Sequence, residues 1–270
     1  MKSVKSLKLW PIGLALWCCA CQVWGTEQKT PQQVQYLVYG AENPPYQFSN
    51  PQLKELGLAT VGIVCRLAEE IAREAGFQIL SLEEPARRLK RSIASKRYQR
   101  WISYGQRAWE NDPAWQDHHF SKINLFSFQP GVVTRADRRL EIRSLDDVAD
   151  KVVVLIRGFD YGPVLSQLQK LGTRLEYAED SYDALSMLEM GRADVYLEDL
   201  RRARFVARAR QLEASMAADN AFNFAVLALP AREVAMVMSG DMPSEYVMAM
   251  NRALERLESD GRLQQIVNSY

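Results

Sequence analysis

Apolar positions along this chain follow two rhythms that alternate. Tyr36-Leu37-Val38-Tyr39 is a short apolar run stopped at Gly40 and reads as a strand. Residues 62–75 change to a helical period. Ile63, Leu67, Ala68 and Ile71 form one stripe, Arg66, Glu69, Glu70 and Arg73 lie off it, and Gly76 ends the helix. Phe77-Gln78-Ile79-Leu80 predicts the next strand. A second cycle puts a helix over residues 86–95 and a strand over 101–104 that stops at Gly105. An aromatic loop covers 106–120, and 125–134 reads as extended with an interruption at Pro130-Gly131. Between them, Pro44-Pro45 excludes a helix from 42–46, because consecutive prolines fix φ and push their predecessors to extended conformations.

The pattern then restarts. Residues 144–148 predict a short capped helix, and 151–156 is a β-branched run typical of a strand covered on both faces. The loop 157–163 opens a helix reaching Leu171, and 175–177 is a strand. Ser181 caps a helix to Met190, Gly191 ends it, and 194–197 is another strand. Strands at 224–229 and 234–238, a helix over 244–258 and a short closing helix complete the chain. Strands alternating with helices predict an α/β fold with mostly parallel sheets flanked by helices. No repeat at solenoid period and no low-complexity tract interrupts the alternation.

Composition changes this picture at the N-terminus. Lys2, Lys5 and Lys8 precede an apolar run from Leu9 to about Ala20, followed by Val23-Trp24-Gly25. That is the three-part pattern of a secretory signal peptide over residues 1–25, and the run falls short of the roughly 20 residues that span a bilayer. Of 4 cysteines, only Cys65 lies beyond this leader, inside an apolar helix pattern, so the exported chain must rest on its core without an internal disulfide. A net charge of +1 over 270 residues gives no global pull toward nucleic acid or anionic membranes.

Candidate chemistry is sparse. There is no nucleophile elbow, phosphate loop or zinc-binding His-Glu pattern, and the 2 histidines, His118 and His119, are adjacent, so their side chains diverge. Residues 87–100 carry Arg87, Arg88, Lys90, Arg91, Lys96, Arg97 and Arg100 without an acid, and 201–210 carry five arginines. Solvated helix faces account for such stretches in an exported chain, with attraction of an anionic ligand as the functional alternative. Trp109, Trp115 and Phe120 sit outside any amphipathic period. They either pack on a sheet edge or line a ligand cleft, where aromatic walls meet a few polar groups.

Five stretches, in order, carry a resemblance: ENPPYQF, GIVCRLAEEIAREAGFQI, SLDDVADKVVVLIRGFDYG, SYDALSMLEMGRADVYLED and LERLESDGRLQQIVNSY. Together they resemble the extracellular solute-binding proteins of the family-3 type, which include periplasmic amino-acid receptors. The resemblance implies a two-lobed periplasmic-binding-protein-like fold with a hinge. Lobe 1 would be 30–132 plus 226–270 and lobe 2 would be 136–222, with crossings near 133–135 and 223–225. It implies capture of a small polar solute by hinge closure in the periplasm, by a monomer without cofactor, metal or nucleic acid, with delivery to an inner-membrane ABC transporter or a sensor. Tyr46 would be the cleft aromatic. Gly158, Phe159 and Tyr161 fall in the lobe 2 loop whose backbone can meet an anion, and Asp199 would hold the ligand's ammonium group. The family's carboxylate-gripping arginine is absent: Ala114 stands there, Asn124 replaces an aromatic, and Arg107 is the nearest candidate, with Trp109 beside it. The alternatives are an enzyme on the same scaffold, with Glu42, Glu198 or Asp199 as general acid or base, and an interaction protein with a vestigial cleft.

Overall fold

A computed structural model describes residues 32–39, 42–49, 60–84, 86–213 and 221–270; the expected signal peptide lies outside them. In chain order the strands of the first part are β1 (Gln32–Tyr39), β2 (Glu42–Asn43), β3 (Gln47–Ser49), β4 (Thr60–Val61), β5 (Phe77–Glu84), β6 (Trp101–Gln106) and β7 (His119–Phe128). Then come β8 (Pro130–Arg135), β9 (Val152–Ile156), β10 (Arg174–Ala178), β11 (Val195–Asp199), β12 (Phe222–Val226) and β13 (Arg232–Met238). The helices are α1 (Ile63–Ala75), α2 (Ala86–Ala94), α3 (Pro163–Lys170), α4 (Ser181–Glu189), α5 (Leu200–Glu213), α6 (Ser244–Ser259) and α7 (Arg262–Asn268).

Two sheets share one plan. The first runs β5-β1-β6-β13-β7 and the second β10-β9-β11-β8-β12. In each, a central strand has a parallel neighbour on both sides, and an antiparallel strand then links the trio to the last strand. Side chains alternate across β1: Val34, Tyr36 and Val38 enter one core with α1, α6 and α7, whereas Leu37 points to the opposite face with Leu89 of α2. The second sheet does the same. Val154 and Ile156 join α4 and α5, while Val153 and Leu155 join Leu168 of α3. Burial on both faces explains why 151–156 reads as an unbroken apolar run.

Strand pairing moves the crossings away from their expected places. Val133 and Arg135 pair with Phe224 and Phe222 inside the second sheet, as do Val132 and Ala225. The chain therefore passes between sheets at Gln129 and again within residues 227–231. Two further elements differ from expectation. The span 144–148 makes only a 3-10 turn at Asp146–Val148, and the extended stretch 125–134 belongs to two strands, β7 and β8, broken at Gln129.

The proline loop is held in place by helix α1. Ile63 N donates to Pro45 O at 3.0 Å and Val64 N to Tyr46 O at 2.9 Å, so two orphan N–H groups of the helix start bind the loop carbonyls. The two backbones approach so closely that a Cβ at Gly62 would lie 2.5 Å from Tyr46 O, and Gly62 has φ +131°. Gly62→Ala therefore combines a steric clash with a conformation that L-residues avoid. Urea unfolding should show a loss of about 1–3 kcal/mol; unchanged stability would mean that the loop is not fixed by the helix.

Candidate functional site

The seam between the two sheets is built around the end of β11 and the start of α5. Asp199 is the last residue of β11 and is buried. Its Oδ1 accepts from Gln129 N at 2.8 Å, and its Oδ2 accepts from Arg202 N at 3.1 Å and from the Tyr46 hydroxyl at 2.5 Å. One carboxylate thus ties together the helix start, the crossing residue and the proline loop. Tyr46 in turn stacks on Phe126, with centroids 5.0 Å apart, and meets Phe128 edge-on at 4.9 Å. Its phenol is pushed well up by burial and then by the Asp199 charge, which keeps it a donor.

Arg202 is the second knot. Its side chain is 6% exposed and forms an ion pair of 2.7 Å with Glu198, four residues earlier, which is 3% exposed. The other guanidinium arm donates to Asn43 Oδ1 at 2.5 Å, across the seam. Phe159 lies over the guanidinium at 4.6 Å, a cation–π contact. Burial is the largest single effect and disfavours this cation, but Glu198, Tyr196, Tyr46 and Asp199 together outweigh it and hold the guanidinium above its ordinary range. Glu198 is further held by the Tyr196 hydroxyl at 2.9 Å and by Asp199 N at 2.7 Å. Among the described residues the Arg202 Nε has no hydrogen-bond partner although it is buried. An orphan buried donor costs about 1–3 kcal/mol.

A cavity of about 170 Å³ opens beside this seam, lined by Ser127, Gln129, Asp199, Phe205 and Tyr270 together with three arginines, Arg201, Arg204 and Arg208. Their spacing of three and four places them on one face of α5, whereas Arg202, Ala203, Val206 and Ala207 turn into the core. Phe205 also meets Phe48 of the small β2-β3-β4 sheet at 5.5 Å, and Arg201 donates to Val267 O at 3.3 Å. At roughly 30 Å³ per water, the cavity has room for a small solute of a few heavy atoms.

Of the residues singled out in the sequence, Tyr46, Asp199 and Phe159 meet here. Tyr161 is close by: its hydroxyl accepts from Ile156 N at 2.7 Å and is pushed up by burial and then by the Glu198 charge. Gly158, with φ +81°, shapes the same exposed loop. Arg107 and Trp109 are held elsewhere. Arg107 donates to Asn124 Oδ1 from Nε at 2.9 Å and to Ser121 O at 2.6 Å, so the asparagine found in place of an aromatic occupies that guanidinium. Trp109 stacks on Trp115 at 5.0 Å and covers Gly105, where a Cβ would lie 2.6 Å from its ring. The sequence singles out the arginines of 201–210, with an anionic ligand as one alternative, but not which of them face the cavity, and it does not mark Asn43 or Arg202. The Glu198–Arg202 spacing of four was the available signal.

No family model and no curated protein sequence matches the chain. Solved structures do. The second substrate-binding domain of GlnP from Lactococcus lactis, in an open conformation, is 15% identical and covers 90% of this chain and 96% of its own, with TM-score 0.65. The GluR0 ligand-binding core from Nostoc punctiforme in complex with L-glutamate is 20% identical, covering 89% and 99%, with TM-score 0.62. An ancestral arginine-binding protein bound to arginine is 17% identical, covering 87% and 96%, with TM-score 0.62. The chain therefore has the two-lobed type 2 periplasmic-binding fold, with a mixed α/β sheet in each lobe.

The Glu198–Arg202 pair makes a stability test. Arg202→Met strands a buried carboxylate and should cost about 3–5 kcal/mol in urea unfolding. The double variant Arg202→Met/Glu198→Leu removes both charges and should recover most of that loss. Equal losses in the single and double variants would show that the ion pair is not what the site depends on.

Proposed function

We propose that this chain is an exported solute-binding protein, which captures a small zwitterionic solute between its lobes and releases it chemically unchanged. The observation that carries the reading is the cavity that sets one carboxylate, Asp199, against three arginines, Arg201, Arg204 and Arg208. That charge pattern complements an ammonium group and a carboxylate on one small molecule, as in an α-amino acid. It also offers a replacement for the family arginine: the carboxylate would be held from lobe 2 by α5 rather than from lobe 1. The solved structures of the same fold named above, bound to arginine and to glutamate, are consistent with this ligand class.

In this reading the lobes move about the two crossings, Gln129 and residues 227–231, as hinge-closing proteins do. The ligand's ammonium group takes the position at Asp199 Oδ2 that the Tyr46 hydroxyl holds. The leader of residues 1–25 directs the chain to the periplasm, where a monomer would pass its solute to an inner-membrane ABC transporter or a sensor. Binding without catalysis is supported by the state of two of the three carboxylates named for an enzyme. Glu198 is committed to Arg202 and Tyr196, and Asp199 to three donors.

A thermal-shift and calorimetric screen of amino acids, organic acids and amines tests the reading. A true ligand at about a hundred times its Kd should add roughly 2.7 kcal/mol of stability, and mass spectrometry should recover it intact. Asp199→Asn should weaken that ligand at least about tenfold, while Tyr46→Phe, which keeps the ring but removes the competing hydroxyl, should tighten it by up to about tenfold. Unchanged affinity in both variants would reject the site, and conversion of the solute would reject binding without chemistry.

A further inference from the structure

A second, larger cavity lies at the far pole of lobe 1. It encloses about 820 Å³, within the range of small-molecule sites, and its walls are aromatic: Tyr98, Trp101 and Trp115. It opens at the first residue of β6 and just past the last residue of β13, along Ser239, Gly240 and Asp241. The other end of β13 is the one that meets lobe 2, where Arg232 donates to Asp160 O at 2.6 Å. A strand of 7 residues separates the two ends, so the cavity stands about 20 Å from the seam.

The walls are fixed before any ligand arrives. Trp101 N donates to Ser239 Oγ at 3.0 Å and Ser239 N to Trp101 O at 2.9 Å. Asp241 accepts from Arg100 N through both carboxylate oxygens, at 3.2 Å. Gly240 sits so close to Asp117 that a Cβ there would lie 2.0 Å from its carbonyl oxygen, which fixes both acid-bearing loops side by side. Between the two tryptophans lies the His118 ring, 5.1 Å from Trp101 and 5.4 Å from Trp115, and its buried Nδ1 has no hydrogen-bond partner among the described residues.

Charge then selects the ligand class. Three carboxylates line the cavity, Asp112, Asp117 and Asp241, against Lys96 and the imidazole of His118. In the basic stretch leading to it, Arg97 pairs with Glu84 at 3.3 Å and lies over the Tyr98 ring at 5.7 Å, which leaves Trp115 as the ring open to a ligand cation. Among the described residues no group of acids, histidines and cysteines is close enough to hold a metal ion. Aromatic faces and dispersed carboxylates favour a cation too large for such a cluster.

We propose that this cavity binds an organic ammonium ion, held by cation–π contact with Trp115 and by the carboxylates of Asp117 and Asp241. The site is separate from the solute site proposed at the seam and does not depend on it.

Calorimetric titration of the full-length chain with choline tests the proposal. Saturable binding is expected, with the neutral isostere carrying tert-butyl in place of trimethylammonium weaker by at least about tenfold. Asp117→Asn, an exposed and conservative change, should weaken choline several-fold, and Trp115→Leu about tenfold. Asp199→Asn, at the seam, should leave choline affinity unaltered. Absence of saturable binding at millimolar choline would overturn the proposal, as would equal affinity for the neutral isostere. So would a choline affinity lost in Asp199→Asn but kept in Asp117→Asn, which would put the cation in the seam.

Discussion

Arg202 is a cation removed from water where the two lobes meet. Desolvating a guanidinium costs several kcal/mol, and only close partners return that energy. Its partners come from three directions: Glu198 on the preceding strand, Asn43 across the seam, and the Phe159 ring above it. Removing any of them leaves part of the charge uncompensated. The relative placement of β2, β11, α5 and the loop after β9 is therefore coupled through one side chain. Asp199, next to Glu198, extends the same network to Tyr46 and the crossing residue Gln129.

This arrangement places binding groups where the fold can use them. The ends of parallel strands and the first turn of α5 converge on the seam, and one of the two crossings, Gln129, is bonded to the same carboxylate that would hold a ligand. In the proposed reading, a solute that changes the partners of Asp199 would act directly on that crossing. The pole of lobe 1 is different in kind: its rings and acids are braced by Ser239, Gly240 and the Arg100 backbone, with no part drawn from lobe 2.

Much of the fold was legible because burial writes itself into periodicity. The β-branched run at 152–156 could only be a strand covered on both faces, and Gly76 and Gly191 marked true helix ends. The crossings were misplaced because Pro130–Arg135 and Phe222–Val226 are extended in either lobe, and only hydrogen-bond partners decide their sheet. Strands of two residues, such as Glu42–Asn43 and Thr60–Val61, are too short to carry any period. At the candidate site, Tyr46 and Asp199, named by resemblance, are bonded to each other across the seam. Arg202 was hidden among the five arginines of 201–210, since composition does not reveal which face of a helix meets the seam. Arg107 and Trp109 have other partners: Asn124 and Ser121 of β7 take the guanidinium, and Trp115 takes the indole.

The central claim, that Arg202 joins the lobes, is tested most directly by the inter-lobe distance in solution. Spin labels at Glu258→Cys on lobe 1 and Arg174→Cys on lobe 2, both exposed, leave the buried Cys65 unlabelled. Pulsed dipolar spectroscopy without added solute should give one narrow distance distribution, and adding Arg202→Met or Asn43→Ala should broaden it toward longer distances. A distribution that is equally narrow, or equally broad, with and without these substitutions would contradict the account.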